Sequence, residues 1–375
     1  MSLHTPICDL LGIEVPIVLA GMGGASTPKL AAAVSNAGGL GILGAAACQP
    51  EELRAWIAET RSLTDKPFGV DTLLPASVRS AKTLEPGKGP SPLERVPALQ
   101  KFAREFMEKE GLSLSHTGAA PNAPAREGAR RGVFSKEFFD AQMDVVIEER
   151  VPVYAAGLGD PGPWLDRLHK NGTVVMAVVG AVRHARKVAQ SHVDIIVAQG
   201  HDAGGHNSPI GTMALIPQVV DAVAPIPVLG AGGITDGRGV AAAIMLGAVG
   251  AWIGSAFLAT EEAGIADFQK QAIVDSNEEN TVVSKSVTGK PARLIRSKWT
   301  QAYADSGLET LPMPFQSMVS GPVLLSGSIA RRADIVPGFA GQGIGMIHKI
   351  RPAREVLQDI VAGAERALAD AKRFA

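Results

Sequence analysis

The sequence predicts an α/β protein of the (β/α)₈ TIM-barrel class, and three observations support this. Short apolar runs alternate with segments of helical periodicity along most of the 375 residues. Eight such runs occur, and none alternates apolar and polar residues as a half-exposed antiparallel strand does. Repeated strand–helix units require parallel pairing with right-handed crossovers, and eight units suit a closed barrel. An open doubly wound sheet is the competing topology, but its six-strand versions leave two units unexplained.

The predicted strands are short and apolar throughout, as expected of strands buried on both faces. They span residues 16–20, 40–43, 67–74, 153–156, 173–179, 195–198, 226–229 and 249–253. The first helix begins after Ser26 or Thr27, with Pro28 in its first turn, and ends at Gly38. The second, at 51–60, carries acidic residues in its first turn, where the helix dipole favours them.

The later helices are predicted from the same two signals, capping residues at their ends and an apolar face. They are predicted at 135–149, 164–171, 182–191, 212–223 and 236–246. Pro217 is a local irregularity in the fourth of these, and Thr235 or Asp236 caps the fifth. Each helix returns the chain to the start of the next strand, as a parallel barrel requires.

Two segments interrupt this alternation. Residues 75–132 are rich in proline and glycine around a helix at 93–111, and we interpret them as an insertion or lid after the third strand. A helix at 261–274 precedes a polar, irregular extension at 276–330, which we expect to pack near the active-site rim. A helix at 352–374 ends the chain, and we predict one barrel domain over residues 1–375.

Composition excludes several classes of function. The net charge is −1 and the pI about 6.7, without a long basic run, so neither a nucleic-acid nor an anionic-membrane partner is predicted. Cys8 and Cys48 have no metal-like spacing, so no disulfide framework or metal site is expected. No secretory leader and no apolar run of the ~20 residues needed to span a bilayer is evident, which predicts a cytoplasmic protein. The oligomeric state stays open.

The active site of such a barrel lies at the carboxyl ends of the strands. A phosphate commonly binds between the loops after strands 7 and 8, which here are the glycine-rich run 230–233 and Gly254-Ser255. Glycines let backbone N–H groups approach an anion, and Ser255 adds a hydroxyl. The pattern is not a dinucleotide fingerprint, so we predict a mononucleotide or another phosphorylated ligand.

The loop after the sixth strand carries the residues most suited to chemistry. The sequence DIIVAQGHDAGGHNSPIG at 194–211 passes from a buried strand into a glycine-rich loop with His201 and His206. A histidine titrates near neutral pH, so it can transfer protons at a ligand. A tight turn with two solvated histidines is the alternative interpretation.

Five motifs together resemble the nitronate monooxygenase family, formerly called 2-nitropropane dioxygenase. They are AGMGG at 20–24, AQGHDAGGH at 198–206, LGAGGITDGRGVAAAIMLGAVG at 229–250, IGSAFLAT at 253–260 and GQGIGMIHKIRPA at 341–353. The resemblance implies an FMN-dependent barrel that oxidises alkyl nitronates or nitroalkanes with O₂ to a carbonyl compound and nitrite. It covers the barrel, whereas residues 75–132 and 276–330 match only loosely.

The resemblance also implies roles for individual residues. The implied cofactor-binding residues are Gly21, Met22, Gly23, Asp71, Gln199, Gly204, Gly205, Gly232, Gly233, Trp252, Ile253, Gly254 and Ser255. Gly232 and Gly233 would hold the phosphate. Asp71 stands where the family usually has Asn, which would place a negative charge near FMN. Trp252 also departs from the family, which usually reads Gln-Met-Gly-Thr at 252–255.

His206 matches the catalytic histidine of the family. A neutral imidazole could take the proton from the α-carbon of a nitroalkane, and a protonated one could bind the nitronate anion. His201 is expected to be a supporting or solvent-facing residue. Two alternative functions stay open: an NAD(P)H-dependent flavin reductase of the quinone-reductase or enoyl-ACP-reductase type, and a phosphate-binding isomerase or aldolase without flavin. The physiological substrate is not predicted.

Overall fold

The fold is described from a computed structural model that covers residues 3–74, 92–113, 135–371 and 373. Most of the predicted insertion, at 75–91 and 114–132, lies outside these residues. The eight barrel strands are β1 (Ile17–Leu19), β2 (Gly41–Gly44), β3 (Phe68–Leu74), β4 (Val153–Gly159), β5 (Val174–Val179), β6 (Ile195–Gln199), β8 (Val228–Ala231) and β9 (Gly250–Ile253). β7 (Gly205–His206) lies outside the barrel, in a small second sheet.

The eight strands form one parallel sheet that closes on itself. Around the sheet the order is β1-β9-β8-β6-β5-β4-β3-β2. A parallel bridge between Val18 and Leu40 joins the two ends, and the Leu19 N–H donates to the Leu40 carbonyl at 2.9 Å. These contacts confirm the predicted (β/α)₈ barrel. The seventh strand lies two residues later than predicted, at Val228–Ala231.

Helices cover the outside of the barrel. In chain order they begin with α1 (Pro6–Leu11), α2 (Pro28–Asn36), α3 (Pro50–Leu63), α4 (Val96–Lys109), α5 (Lys136–Glu148), α6 (Leu165–Lys170), α7 (Val182–Gln190), α8 (Thr212–Val223) and α9 (Gly237–Met245). Asp236 caps α9 by accepting hydrogen bonds from the N–H groups of Arg238 and Gly239. α1 was not predicted; its apolar side chains pack with the inward-facing residues of the barrel.

The remaining helices are α10 (Ser255–Leu258), α11 (Asp267–Val274), α12 (Lys298–Asp305), α13 (Ser317–Ile329) and α14 (Ala353–Ala371). α14 packs against α9 and α2, so the last helix of the chain takes the eighth helical position of the barrel. α11 begins six residues later than the predicted helix at 261–274. Within the described ranges, every helix is too short or too polar to cross a lipid bilayer.

The expectation of an irregular extension is wrong. Residues 276–330 contain a hairpin, β10 (Thr281–Ser284) and β11 (Ala292–Ile295), followed by α12 and α13. Ser297 starts α12 by accepting a hydrogen bond from the Thr300 N–H. Local polarity concealed these elements, because their core comes from a distant segment: Phe106 of α4 packs edge-on against Trp299, with ring centroids 5.3 Å apart. The described part of the insertion therefore packs with the extension.

Candidate active site

A cavity of about 520 Å³ lies at the carboxyl ends of the barrel strands. It is bordered by Gly21, Met22, Gly23, Asp71, Gln199, Gly204, Gly205, His206, Gly232, Gly233, Trp252, Gly254 and Ser255, among others. Of the residues predicted for the site, Ile253 alone does not border it. Side chains alternate along a strand, so Trp252 points into the barrel while Ile253 is fully buried between barrel and helices.

The loop after β6 is held in shape by its own polar groups. The Gln199 amide donates to the carbonyl of His206 at 2.8 Å, which ties the strand end to the far side of the loop. The Asp202 carboxylate accepts the Thr212 N–H at 2.8 Å at the start of α8. Burial raises the pKa of Asp202, but hydrogen bonds from Thr212 outweigh this effect and lower the pKa overall. Asp202 therefore stays ionised and fixes the loop to the helix.

The two histidines of this loop are not equivalent. His201 Nδ1 lies 2.8 Å from the Ser208 carbonyl, and His201 does not border the cavity. His206 borders the cavity from β7, which pairs antiparallel with β11 of the extension. Burial, and then the positive charge of Lys290, lower the pKa of His206 to about 4. The imidazole is therefore neutral at pH 7, the form that can accept a proton.

The loop after β8 has the form of an anion cradle. Gly232 and Gly233 have φ angles of +100° and +71°, a region that side chains other than glycine rarely adopt. Among the described residues, no hydrogen-bond acceptor pairs with the N–H groups of Gly232, Gly233 or Ile234. Unpaired N–H groups at a cavity wall can bind an anion such as phosphate. Nearby, Ser255 Oγ accepts the Gly341 N–H at 2.8 Å, which leaves its own proton free to donate.

Asp71 lies at the cavity wall between two glycines. The residue is 6% exposed, and Oδ1 accepts the Gly157 N–H at 3.1 Å. A Cβ atom on Gly21 or Gly157 would lie 2.2 or 2.4 Å from the Asp71 side chain, so the carboxyl group fits only because both neighbours are glycines. Burial raises the pKa of Asp71 well above its usual range. The negative charge expected here is therefore disfavoured, and a neutral acid resembles the Asn that the family usually has.

Asp71 and His206 are the only titratable side chains on the described part of the cavity wall. A further, largely apolar part of the cavity wall was not predicted; it includes Ile265, Leu324, Val336, Phe339 and Gly341. Gly341 belongs to the GQGIG run at 341–345, whose glycines were the available signal. The apolar residues carried none, because they come from segments that are far apart in sequence and meet only in the folded chain.

A parallel barrel with an anion cradle and a neutral histidine at its carboxyl rim is the arrangement of an enzyme for small-molecule chemistry. Residues 4–363 match the family model described as nitronate monooxygenase. The chain belongs to the nitronate monooxygenase family, whose members are flavin-dependent oxidoreductases. The predicted family and enzyme class are confirmed.

Similar proteins agree with this assignment. A protein of Mycobacterium tuberculosis, named as a candidate monooxygenase, is 38% identical over 371 residues, with 96% of each chain covered. The structure of nitroalkane oxidase from Streptomyces ansochromogenes has a TM-score of 0.79 and 29% identity, covering 97% of this chain and 99% of that one. FabK from Thermotoga maritima has a TM-score of 0.75 and 32% identity, covering 99% of both chains.

Proposed function

We propose that the cavity binds FMN and that the enzyme oxidises alkyl nitronates, and the nitroalkanes from which they form, with O₂ to a carbonyl compound and nitrite. The observation that carries this proposal is a neutral histidine, His206, on the wall of the cavity that also contains the anion cradle. Membership of the family supports oxidation of nitronates. The name of the Streptomyces neighbour, a nitroalkane oxidase, supports the nitroalkane as a substrate of the same class.

The residues present fit FMN. A Cβ atom on Gly232 would lie 2.8 Å from Thr212 Oγ1 and 3.1 Å from the Ala203 nitrogen, so the cradle depends on a bare backbone. Its unpaired N–H groups and Ser255 would bind the phosphate. Gly21 to Gly23, Asp71, Gln199, Gly204 and Gly205 would lie along the rest of the cofactor. A single phosphate needs no cationic side chain when several backbone donors converge on it.

The protein's own part in the chemistry is proton transfer and positioning. A nitroalkane is a weak carbon acid, and the neutral imidazole of His206 accepts its α-proton to give the nitronate. When bound, FMN supplies the redox step to O₂. The low pKa of His206 favours this base role over the alternative in which a protonated imidazole holds the nitronate. The apolar part of the cavity wall, to which Ile295 and Leu324 of the extension contribute, excludes water from the reacting carbon.

Anaerobic reduction of the purified protein tests the proposal. The FMN-loaded enzyme is mixed without oxygen with a nitronate or with NADH, and the flavin absorbance is followed. Bleaching by the nitronate, with carbonyl compound and nitrite formed on admission of air, is the expected result. Rapid bleaching by NADH alone would favour the second candidate, an NAD(P)H-dependent flavin reductase. FabK is 32% identical to this chain and the nitroalkane oxidase 29%, so sequence similarity does not separate the two candidates. The nitronate and NADH are therefore both tested as electron donors to the flavin.

A further inference from the structure

The histidine at the cavity is held by the extension as well as by its own loop. His206 pairs with Ala292 in the three-stranded sheet, and the turn between β10 and β11 brings Thr288 to its ring. Thr288 Oγ1 lies 3.0 Å from His206 Nε2. The two residues are 82 positions apart in the sequence, and Thr288 does not border the cavity.

The other hydrogen bonds of the Thr288 hydroxyl indicate which of the two groups, the hydroxyl or His206 Nε2, donates in this contact. The hydroxyl donates its one proton to the Lys290 carbonyl at 3.1 Å and accepts the Lys290 N–H at 3.3 Å. That carbonyl accepts no other hydrogen bond from the described residues. A hydroxyl has one proton and two lone pairs, so the remaining lone pair can only accept. With the hydroxyl proton directed to that carbonyl, Thr288 can only accept from the ring, and the contact then places a proton on His206 Nε2.

The geometry points to Thr288 as a positioning residue that holds His206 in the Nε2–H tautomer and leaves Nδ1 as the proton-accepting atom. Among the described residues, Nδ1 has no hydrogen-bond partner, in keeping with this assignment. A neutral imidazole accepts a proton only at its bare nitrogen, so the tautomer decides which nitrogen can take the proton of the substrate. The inference rests on the proposed function, since it names the reacting atom of the same base.

Three variants test this role. Thr288→Val keeps the shape but removes the acceptor, Thr288→Ser keeps the hydroxyl, and Ser284→Ala removes a hydroxyl of the same hairpin that does not contact His206. We expect Thr288→Val to lower kcat with a nitroalkane about tenfold, the effect of losing one orienting hydrogen bond. Turnover of the preformed nitronate, which needs no proton abstraction, should stay within about twofold. Thr288→Ser should restore nitroalkane turnover.

The tautomer is read directly by NMR of FMN-loaded protein labelled with ¹⁵N-histidine. The signal of His206 is the one lost in His206→Asn, and its two nitrogen shifts report which nitrogen carries the proton. A proton on Nε2 in the wild type, and a mixture of tautomers in Thr288→Val, would support the inference. A proton on Nδ1 in the wild type would overturn it, as would a ratio of nitroalkane to nitronate turnover in Thr288→Val equal to that of Ser284→Ala. If the wild type oxidised neither substrate, the proposed function would fail, and the NMR result would still decide the tautomer.

Discussion

Replacing Gly232 with alanine should both destabilise the fold and weaken the binding of FMN. Comparison with a control glycine outside the cavity separates the two effects. At φ +100° a Cβ atom costs roughly 1–2 kcal/mol of folding free energy. The same atom would lie 2.8 Å from Thr212 Oγ1 and 3.1 Å from both the Ala203 nitrogen and the Gly200 carbonyl, so the loop must shift. A shift that removes one N–H bond to a phosphate costs about 1.5–3 kcal/mol of binding, or about 10- to 150-fold in Kd.

Gly307→Ala is the matched control, because Gly307 also has a positive φ, +63°, and lies away from the cavity. A Cβ atom added there would have no neighbour within 4 Å, so the substitution adds strain without a clash. Urea unfolding of the apoproteins should show that both substitutions destabilise the fold. Quenching of FMN fluorescence during titration with apoprotein should show a raised Kd for Gly232→Ala alone. If both variants bind FMN as tightly as the wild type, the phosphate does not lie at this loop.

Three further predictions concern the titratable groups. His206→Ala should retain FMN and lose at least about 100-fold in nitroalkane turnover, whereas His201→Ala should lose less than tenfold; equal losses would refute the distinction between them. The pKa of His206 is lowered to about 4, so kcat/KM for a nitroalkane should be constant from about pH 5 to 7 and fall below about pH 4 as the base is protonated. Lys290→Met removes a positive charge, so it should move this fall to higher pH; an unmoved profile would exclude the charge effect. Asp71 has a raised pKa in the folded protein, so its contribution to wild-type stability should decrease as pH rises above about 4. Asp71→Asn, neutral throughout, should then be the more stable protein at pH 8 in urea unfolding, with a stability difference that narrows towards pH 4; a difference independent of pH would mean that the pKa of Asp71 is not raised by folding.

The barrel could be predicted because its signals are local. Each strand is a short apolar run followed by small residues, and each helix has caps or an apolar face within a few positions, as at Asp236. The glycine turn after β8 was predictable for the same reason, since two successive residues with positive φ favour consecutive glycines. The errors arose where neighbours in space are distant in sequence. α12 and α13 bury their apolar faces against α4, so their own sequence resembles an irregular polar segment.

The difference between local and distant neighbours also explains which properties of His206 could be predicted from the sequence. The loop motif identifies His206 over His201, because the motif includes the turn that places one ring at the cavity and the other at the Ser208 carbonyl. Its protonation state depends on groups that no local motif contains. Lys290 lowers the pKa of the ring, and the Thr288 hydroxyl contacts Nε2, and both come from the extension that resembles the family least. In the proposed mechanism the extension therefore affects the base, and through Ile295 and Leu324 it also forms part of the cavity wall, so differences within this segment should alter base strength and substrate choice together.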